Sequence, residues 1–165
     1  MNCHMPKINE GMQDVVRTHA IFSPTNPAMI EANQPNACNL CHLDKPIDWT
    51  ISYLQSWYGR VYAQQMIMQN YPVRAQPVGL GWLKQNHAPT RLVTAQAVAD
   101  QQATWALPAL LQMLDDPYLL NRQFAQVSVE RLIGAQLDKR FGYWYYMTEQ
   151  QRQPIVQSMQ KTLGQ

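Results

Sequence analysis

The sequence has few charged residues and lacks long apolar runs. Asp, Glu, Lys and Arg make up 15% of the 165 residues, and the formal net charge is only +2. Because there is no run of Lys or Arg and no basic stripe, we expect no nucleic-acid partner. No apolar run approaches the ~18 residues that cross a bilayer, so we expect no membrane span. Hydrophobic residues make up 46%, which is enough for a packed core.

The chain has only three cysteines, an odd count that is untypical of a disulfide framework. Two of them, Cys38 and Cys41, lie three residues apart, and His42 follows directly in the stretch ACNLCH. This spacing is typical of c-type haem, which is bound by two thioether bonds and by the adjacent imidazole beneath the iron. The sequence therefore predicts one complete haem c site, with Cys38 and Cys41 as attachment residues and His42 as proximal ligand.

The first residues repeat the end of the same pattern. The chain begins MNCHMPK, so Cys3 and His4 match the last cysteine and the histidine of a haem motif. We expect a second, truncated haem c site here, with Cys3 as thioether and His4 as proximal ligand. This prediction requires a cysteine immediately before Met1.

The remaining histidines and the methionines are candidates for the distal position of an iron. His19 lies between the two motifs and before a proline, and it is the best candidate for a distal ligand. Met5, Met12 and Met29 could offer a thioether instead, but methionine more often fills a core, and we favour a bis-histidine centre. His87 lies just before a predicted helix, where we expect a surface or capping residue.

A zinc site is the alternative to haem. Cys3, Cys38, Cys41 and His42 together have the composition of a tetrahedral Cys₃His site, which would make the protein an interaction scaffold with a structural metal. Neighbouring residues such as Cys41 and His42 chelate one tetrahedral ion with difficulty, whereas haem attachment requires that order. We therefore favour haem.

The chain divides into two parts of different character. Residues 1–48 contain five prolines, which exclude long helices and predict an irregular haem-binding segment. Residues 49–165 read as helical. Trp49, Tyr53 and Trp57 recur at one helical face, with Asp48 as N-cap. For Trp49 and Trp57 we favour packing in the helix core over packing on haem edges.

A weak internal repeat marks the second part. The stretches starting at Thr90 and Asn121 align at a shift of 31 residues, which places Arg91 on Arg122. Paired amphipathic helices of this period predict helical hairpins similar to HEAT repeats. A last helix is predicted to begin at Thr148, with a capping box to Gln151. The predicted fold is all-α, an irregular haem-binding N-terminal segment followed by HEAT-like helical hairpins.

From Asn2 to about Arg60 the chain resembles multihaem c-type cytochromes that carry a helical repeat region behind the haem segment. The resemblance rests on the stretches CHMPK, RTHAIFSP, QPNACNLCHLDKPIDW and WYG, in this order. It implies electron transfer in the periplasm or on the outer cell surface, with redox proteins or other haem domains of the same full-length chain as partners. Some relatives reduce small nitrogen compounds, so an accessory part of such an enzyme is a further alternative. The haem segment offers only Lys7, Arg17 and Lys45 around a reducing centre, and we favour an electron carrier over a catalyst.

Overall fold

The computed structural model of the chain describes residues 4–8, 14–17 and 19–164. In these ranges the protein is mostly helical, as the all-α prediction requires, and the only strands form a hairpin of two residues each. The elements in chain order are β1 Lys7–Ile8, β2 Val16–Arg17, α1 Pro27–Glu31, α2 Ala37–Cys41, α3 Ile47–Tyr58, α4 Gln64–Asn70, α5 Val78–Leu83, α6 Ala88–Asp100, α7 Leu107–Gln112, α8 Leu119–Ile133, α9 Leu137–Phe141 and α10 Glu149–Leu163. None of these helices is both long and apolar enough to span a bilayer.

Before α3, the described residues of the N-terminal part form only short elements. β1 and β2 pair antiparallel, with Lys7 opposite Arg17. Helices α1 and α2 have five residues each. The side chains of Asn26 and Asn36 cap their N-termini by accepting hydrogen bonds from backbone N–H groups. The prediction that prolines prevent long helices here is confirmed.

Helix α3 differs from the prediction in two respects. It begins at Ile47 after an N-cap at Pro46, so Asp48 lies in its first turn, where its carboxylate pairs with Arg74. An acidic residue at this place interacts favourably with the helix dipole. The helix ends at Gly59, whose φ of 62° is readily adopted only by glycine.

The second difference concerns which face of α3 is buried. The core side consists of Ile47, Thr50 and Leu54. The face of Trp49, Tyr53 and Trp57 instead faces outwards, and 63% of Trp57 is exposed. The expectation that the tryptophans of this face pack in the core was wrong. Both sets of residues have helical spacing, and the set with the smaller side chains, Ile47, Thr50 and Leu54, is the one that faces the core.

Three arginines hold the longer helices of the second part to their neighbours. Arg91 of α6 donates from Nε to Asp116 Oδ2 at 2.7 Å. Arg122 of α8 donates to the backbone oxygen of Asp116 at 2.7 Å, and Arg152 of α10 donates from Nε to Asp115 Oδ1 at 2.5 Å. The arginines follow one another at 31 and 30 residues. The third of them, Arg152, was missed in the sequence, although Gln123 and Ser128 also recur 30 residues later as Gln153 and Ser158.

The ionisation of Asp116 depends on these contacts. Burial of its carboxyl opposes ionisation, but hydrogen bonds from Arg91, from the backbone N–H of Tyr118 and from Asn121 outweigh burial and lower its pKa. Asp116 is therefore a charged group inside the helical part that is stabilised by its neighbours.

One hydrophobic core connects the two parts of the chain. It includes Ile30 and Leu43 from before residue 48, together with Trp82, Leu110 and Met159. Helix α6 packs against both α5 and α8, and α10 packs against α7. The predicted capping box of α10 is confirmed, since Thr148 N–H donates to Gln151 Oε1 at 3.0 Å.

Candidate haem-binding site

Helix α2 carries the two cysteines of the motif, and His42 caps its C-terminus. Cys38 is half-buried, whereas Cys41 and His42 are exposed. In a helix, residues three positions apart lie on the same side, so Cys38 and Cys41 share one side of α2, whereas His42 follows at the C-cap with a non-helical backbone of φ −123° and ψ 57°. All three side chains are at least partly accessible to solvent.

The opposite side of α2 is anchored by Asn39. This side chain is completely buried. Its Nδ2 donates to the backbone oxygens of His42 and Lys45, each at 3.3 Å. Its Oδ1 accepts from Thr50 Oγ1 at 2.7 Å and from Asn36 Nδ2 at 3.1 Å. Asn39 therefore joins α2, the turn that follows His42, and α3 in one network.

Helix α5 holds the same turn from the other side. The N–H of Val78 donates to the oxygen of Lys45 at 3.0 Å, and the N–H of Gly79 donates to the oxygen of Leu43 at 3.1 Å. A Cβ at position 79 would lie 3.1 Å from the Cβ of Leu43, so glycine allows this close approach. The backbone on both sides of His42 is consequently fixed before any cofactor is bound.

A row of aromatic rings starts at His42. Its imidazole lies 4.7 Å from the Trp49 ring, Trp49 lies 4.7 Å from Tyr53, and Tyr53 lies 5.1 Å from Trp57, measured between ring centroids. Trp57 in turn meets Tyr58 edge-on at 6.4 Å. We call Trp49, Tyr53, Trp57 and Tyr58 the aromatic stripe. It connects the predicted proximal ligand to the end of α3.

The second predicted site falls partly within the described residues. Cys3 lies outside them. His4 is exposed and makes two contacts with Phe22. Its Nδ1 lies 3.1 Å from the backbone oxygen of Phe22, and the backbone N–H of Phe22 donates to the backbone oxygen of His4 at 2.8 Å. With the proton on Nδ1, this bond leaves Nε2 as the ligand atom, the arrangement found in most metal-binding histidines.

The two remaining histidines have different surroundings. His19 is exposed. His87 occupies the N-cap position of α6, and its Nδ1 lies 2.9 Å from Thr90 Oγ1. His87 is thus an exposed residue at the N-cap position, as the sequence predicts, but its side chain makes no capping hydrogen bond to the backbone.

A groove of about 470 Å³ lies next to Cys41. Its walls are mostly apolar side chains of the hairpin, α2 and α6, including Val15, Leu40 and Val93, and Lys7 and Arg17 also line it. Lys7 pairs with Asp100 of α6 at 3.5 Å, with both side chains partly exposed. The groove therefore combines an apolar surface with two cations and the carboxylate of Asp100 beside Cys41.

The donor groups for zinc are not assembled in the described part of the chain. There, no cluster of three or more His, Cys, Asp or Glu side chains has the geometry to hold a metal ion. A zinc site would therefore depend on Cys3. Haem c does not require several protein donors clustered around one metal ion, because the sulfurs bind the porphyrin and a single imidazole binds each face of the iron.

Sequence reasoning missed Asn36, Asn39 and Thr50 as supports of this site. Asn36 had a readable signal, since asparagine before a short helix is a common N-cap. Asn39 and Thr50 had none, because their roles depend on contacts with a turn and a helix that become neighbours only in the fold.

Comparison with known proteins adds no relative. No protein-family model matches the chain, and neither a curated protein nor a solved structure is significantly similar to it.

Proposed function

We propose that this chain is an electron-transfer unit of a multihaem c-type cytochrome, with haem c attached through Cys38 and Cys41 and His42 as proximal iron ligand. The observation that carries the proposal is the two-sided construction of α2. One side carries both cysteines, with His42 directly after them, and the other is fixed by Asn39 and Thr50. Such a preorganised ligand backbone suits a redox centre that must change charge with little rearrangement.

The residues present fit haem c. Two thiols and an imidazole are its usual donor set, and the bound group would supply a one-electron iron couple. His42 would hold the iron, and Trp49 would limit rotation of its ring. Lys7 and Arg17 in the groove beside Cys41 offer cations for the two porphyrin carboxylates.

A second haem at Cys3 and His4 is part of the proposal only where a cysteine directly precedes Met1, so this chain by itself should carry one haem. The bond between His4 Nδ1 and Phe22 supports it, because it directs the free lone pair to Nε2. His19, exposed in the same segment, is the proposed distal ligand of one of the two irons. Covalent attachment of haem places the protein in the periplasm or elsewhere outside the cytoplasm, with redox proteins or further haem domains as partners.

We also infer that helices α6 to α10 form HEAT-like hairpins. The support is the recurrence of Arg91, Arg122 and Arg152 at nearly constant spacing, with Asp115 and Asp116 between the helices. A repeat region of this kind would hold the haem segment or a partner.

The proposal is tested by the intact mass of the chain after export together with a haem-attachment system. We expect the mass to exceed the polypeptide by one haem, and Cys38→Ala/Cys41→Ala to abolish the increase while Cys3→Ala retains it. Stoichiometric zinc with no added porphyrin mass would instead support the structural zinc site. Turnover of nitrite or hydroxylamine by the haem-loaded chain would support the enzyme alternative.

A further inference from the structure

The aromatic stripe exposes large aromatic side chains on the outer face of α3. Trp57 is 63% exposed, Tyr58 59% and Tyr53 41%. A surface helix normally carries charged and polar residues on its outer face. Large apolar side chains that are exposed side by side mark a surface that another molecule covers.

The stripe is also continuous with the candidate haem-binding site. Three successive ring contacts of 4.7, 4.7 and 5.1 Å connect His42 to Trp57. A molecule that covers Trp57 and Tyr58 is therefore brought close to the iron ligand. A bound molecule that has its own redox centre would therefore have a short electron-transfer path to this site.

The charge of the stripe indicates what covers it. No charged residue occurs from 49 to 59. The flanking Asp48 is already paired with Arg74, and the exposed Arg60 lies at the other flank. Charged docking faces attract a partner of opposite sign and repel their own copies. An uncharged face instead can meet an identical face without like-charge repulsion, so the composition favours a second copy of this chain.

The size of the stripe indicates a brief contact. Stable interfaces use roughly 20–30 residues a side, whereas weak redox encounters lie at the small end of the range. The stripe has four aromatic residues. Two copies that meet through it would separate again readily, as repeated electron exchange requires.

We propose that the aromatic stripe is a self-docking surface, through which two copies of this chain meet transiently and exchange one electron between their haem irons. This inference rests on the proposed function. In each exchange one ferrous iron is oxidised and one ferric iron is reduced. No proton moves, no bond is formed or broken, and the aromatic rings are not themselves oxidised.

The test is the electron self-exchange rate of the haem-loaded chain, measured by NMR line broadening in mixtures of its oxidised and reduced forms. Trp57→Ala should lower the second-order rate constant about tenfold, because truncating a central aromatic anchor costs more than 1 kcal/mol of contact energy. Trp105→Ala is the matched control, because Trp105 is 41% exposed on another part of the protein and should leave the rate unchanged. Low and high salt should give similar rates.

An unchanged rate in Trp57→Ala, an equal loss in Trp105→Ala, or a steep salt dependence would each overturn the proposal. A second readout needs no haem. The indole N–H signal of Trp57 should shift with protein concentration while that of Trp105 does not. If the chain binds no haem but the Trp57 signal still shifts, self-docking stands and electron transfer fails. If haem is bound but neither the signal nor the rate responds, self-docking fails and the proposed function stands.

Discussion

The imidazole of His42 lies against the indole of Trp49, with ring centroids 4.7 Å apart and ring planes inclined at 51°. His42 is exposed and Trp49 is half-buried at the start of α3. Since the backbone of His42 is held by Asn39 and its ring by Trp49, the orientation of this imidazole is determined by the protein from two directions. Several expectations depend on this arrangement.

Replacing Trp49 should loosen the His42 ring without preventing haem attachment. We expect Trp49→Leu to lower the free energy of unfolding by about 1 kcal/mol, the usual contribution of an aromatic pair, and Trp49→Phe to lose less. In the haem-loaded protein the electron paramagnetic resonance lines of the ferric iron should broaden in Trp49→Leu. Unchanged lines in both variants would show that Trp49 does not orient His42.

Removing the hydroxyl of Thr50 should weaken the anchor of α2. Thr50→Val keeps the shape of the side chain but leaves Asn39 Oδ1 with one donor fewer in a buried position. We expect a loss of about 1–2 kcal/mol in denaturant unfolding. Thr50→Ser retains the hydroxyl and serves as the control. Unchanged stability in Thr50→Val would show that the hydrogen bond from Thr50 to Asn39 does not stabilise the fold.

Asp116 should make the protein sensitive to acid. Its pKa is lowered in the folded protein, so its ionised form stabilises the fold above the unfolded value of about 4, and this stabilisation is lost as the pH falls through the folded pKa. Asp116→Asn should cost about 3 kcal/mol at neutral pH, because Arg91 loses its buried partner, and should flatten stability against pH in the acidic range.

The matched control for Asp116 is Asp44. Its pKa is also lowered, chiefly by a hydrogen bond from Lys45, but both side chains are largely exposed. Asp44→Asn should change stability by less than about 0.5 kcal/mol. If the two variants had the same acid profile, the buried pair of Arg91 and Asp116 would not account for acid unfolding.

Ser128 of α8 should tolerate, or gain from, loss of its hydroxyl. Its Oγ is buried, and within the described residues it has no hydrogen-bond partner. Since a buried hydroxyl without a partner carries a desolvation cost, Ser128→Ala should raise the unfolding free energy by up to about 1 kcal/mol. A clear loss of stability in thermal unfolding would show that Ser128 has a partner, such as a bound water.

The sequence predicted those features of the fold that depend on local chemistry. Prolines before residue 48 limited α1 and α2 to five residues, and the Thr148 capping box began α10. Each follows from the conformational preference of one or two residues.

The features that could not be predicted depend on long-range contacts. The periodicity of α3 fits burial of either Leu54 or Trp57, and the choice is made by the packing of the surrounding helices. The role of Asn39 depends on Thr50, eleven residues away, and on the turn that α5 holds in place. A buried polar network of this kind has no periodic signature in a single sequence.

The central claim is covalent attachment of haem at Cys38 and Cys41, and it is tested most directly by the absorption spectrum and the haem stain in a denaturing gel of the exported chain. We predict a Soret band and a stain that stays with the polypeptide, both absent in Cys38→Ala/Cys41→Ala. A colourless chain that takes up no porphyrin, although the attachment system loads another cytochrome in the same cells, would contradict the account.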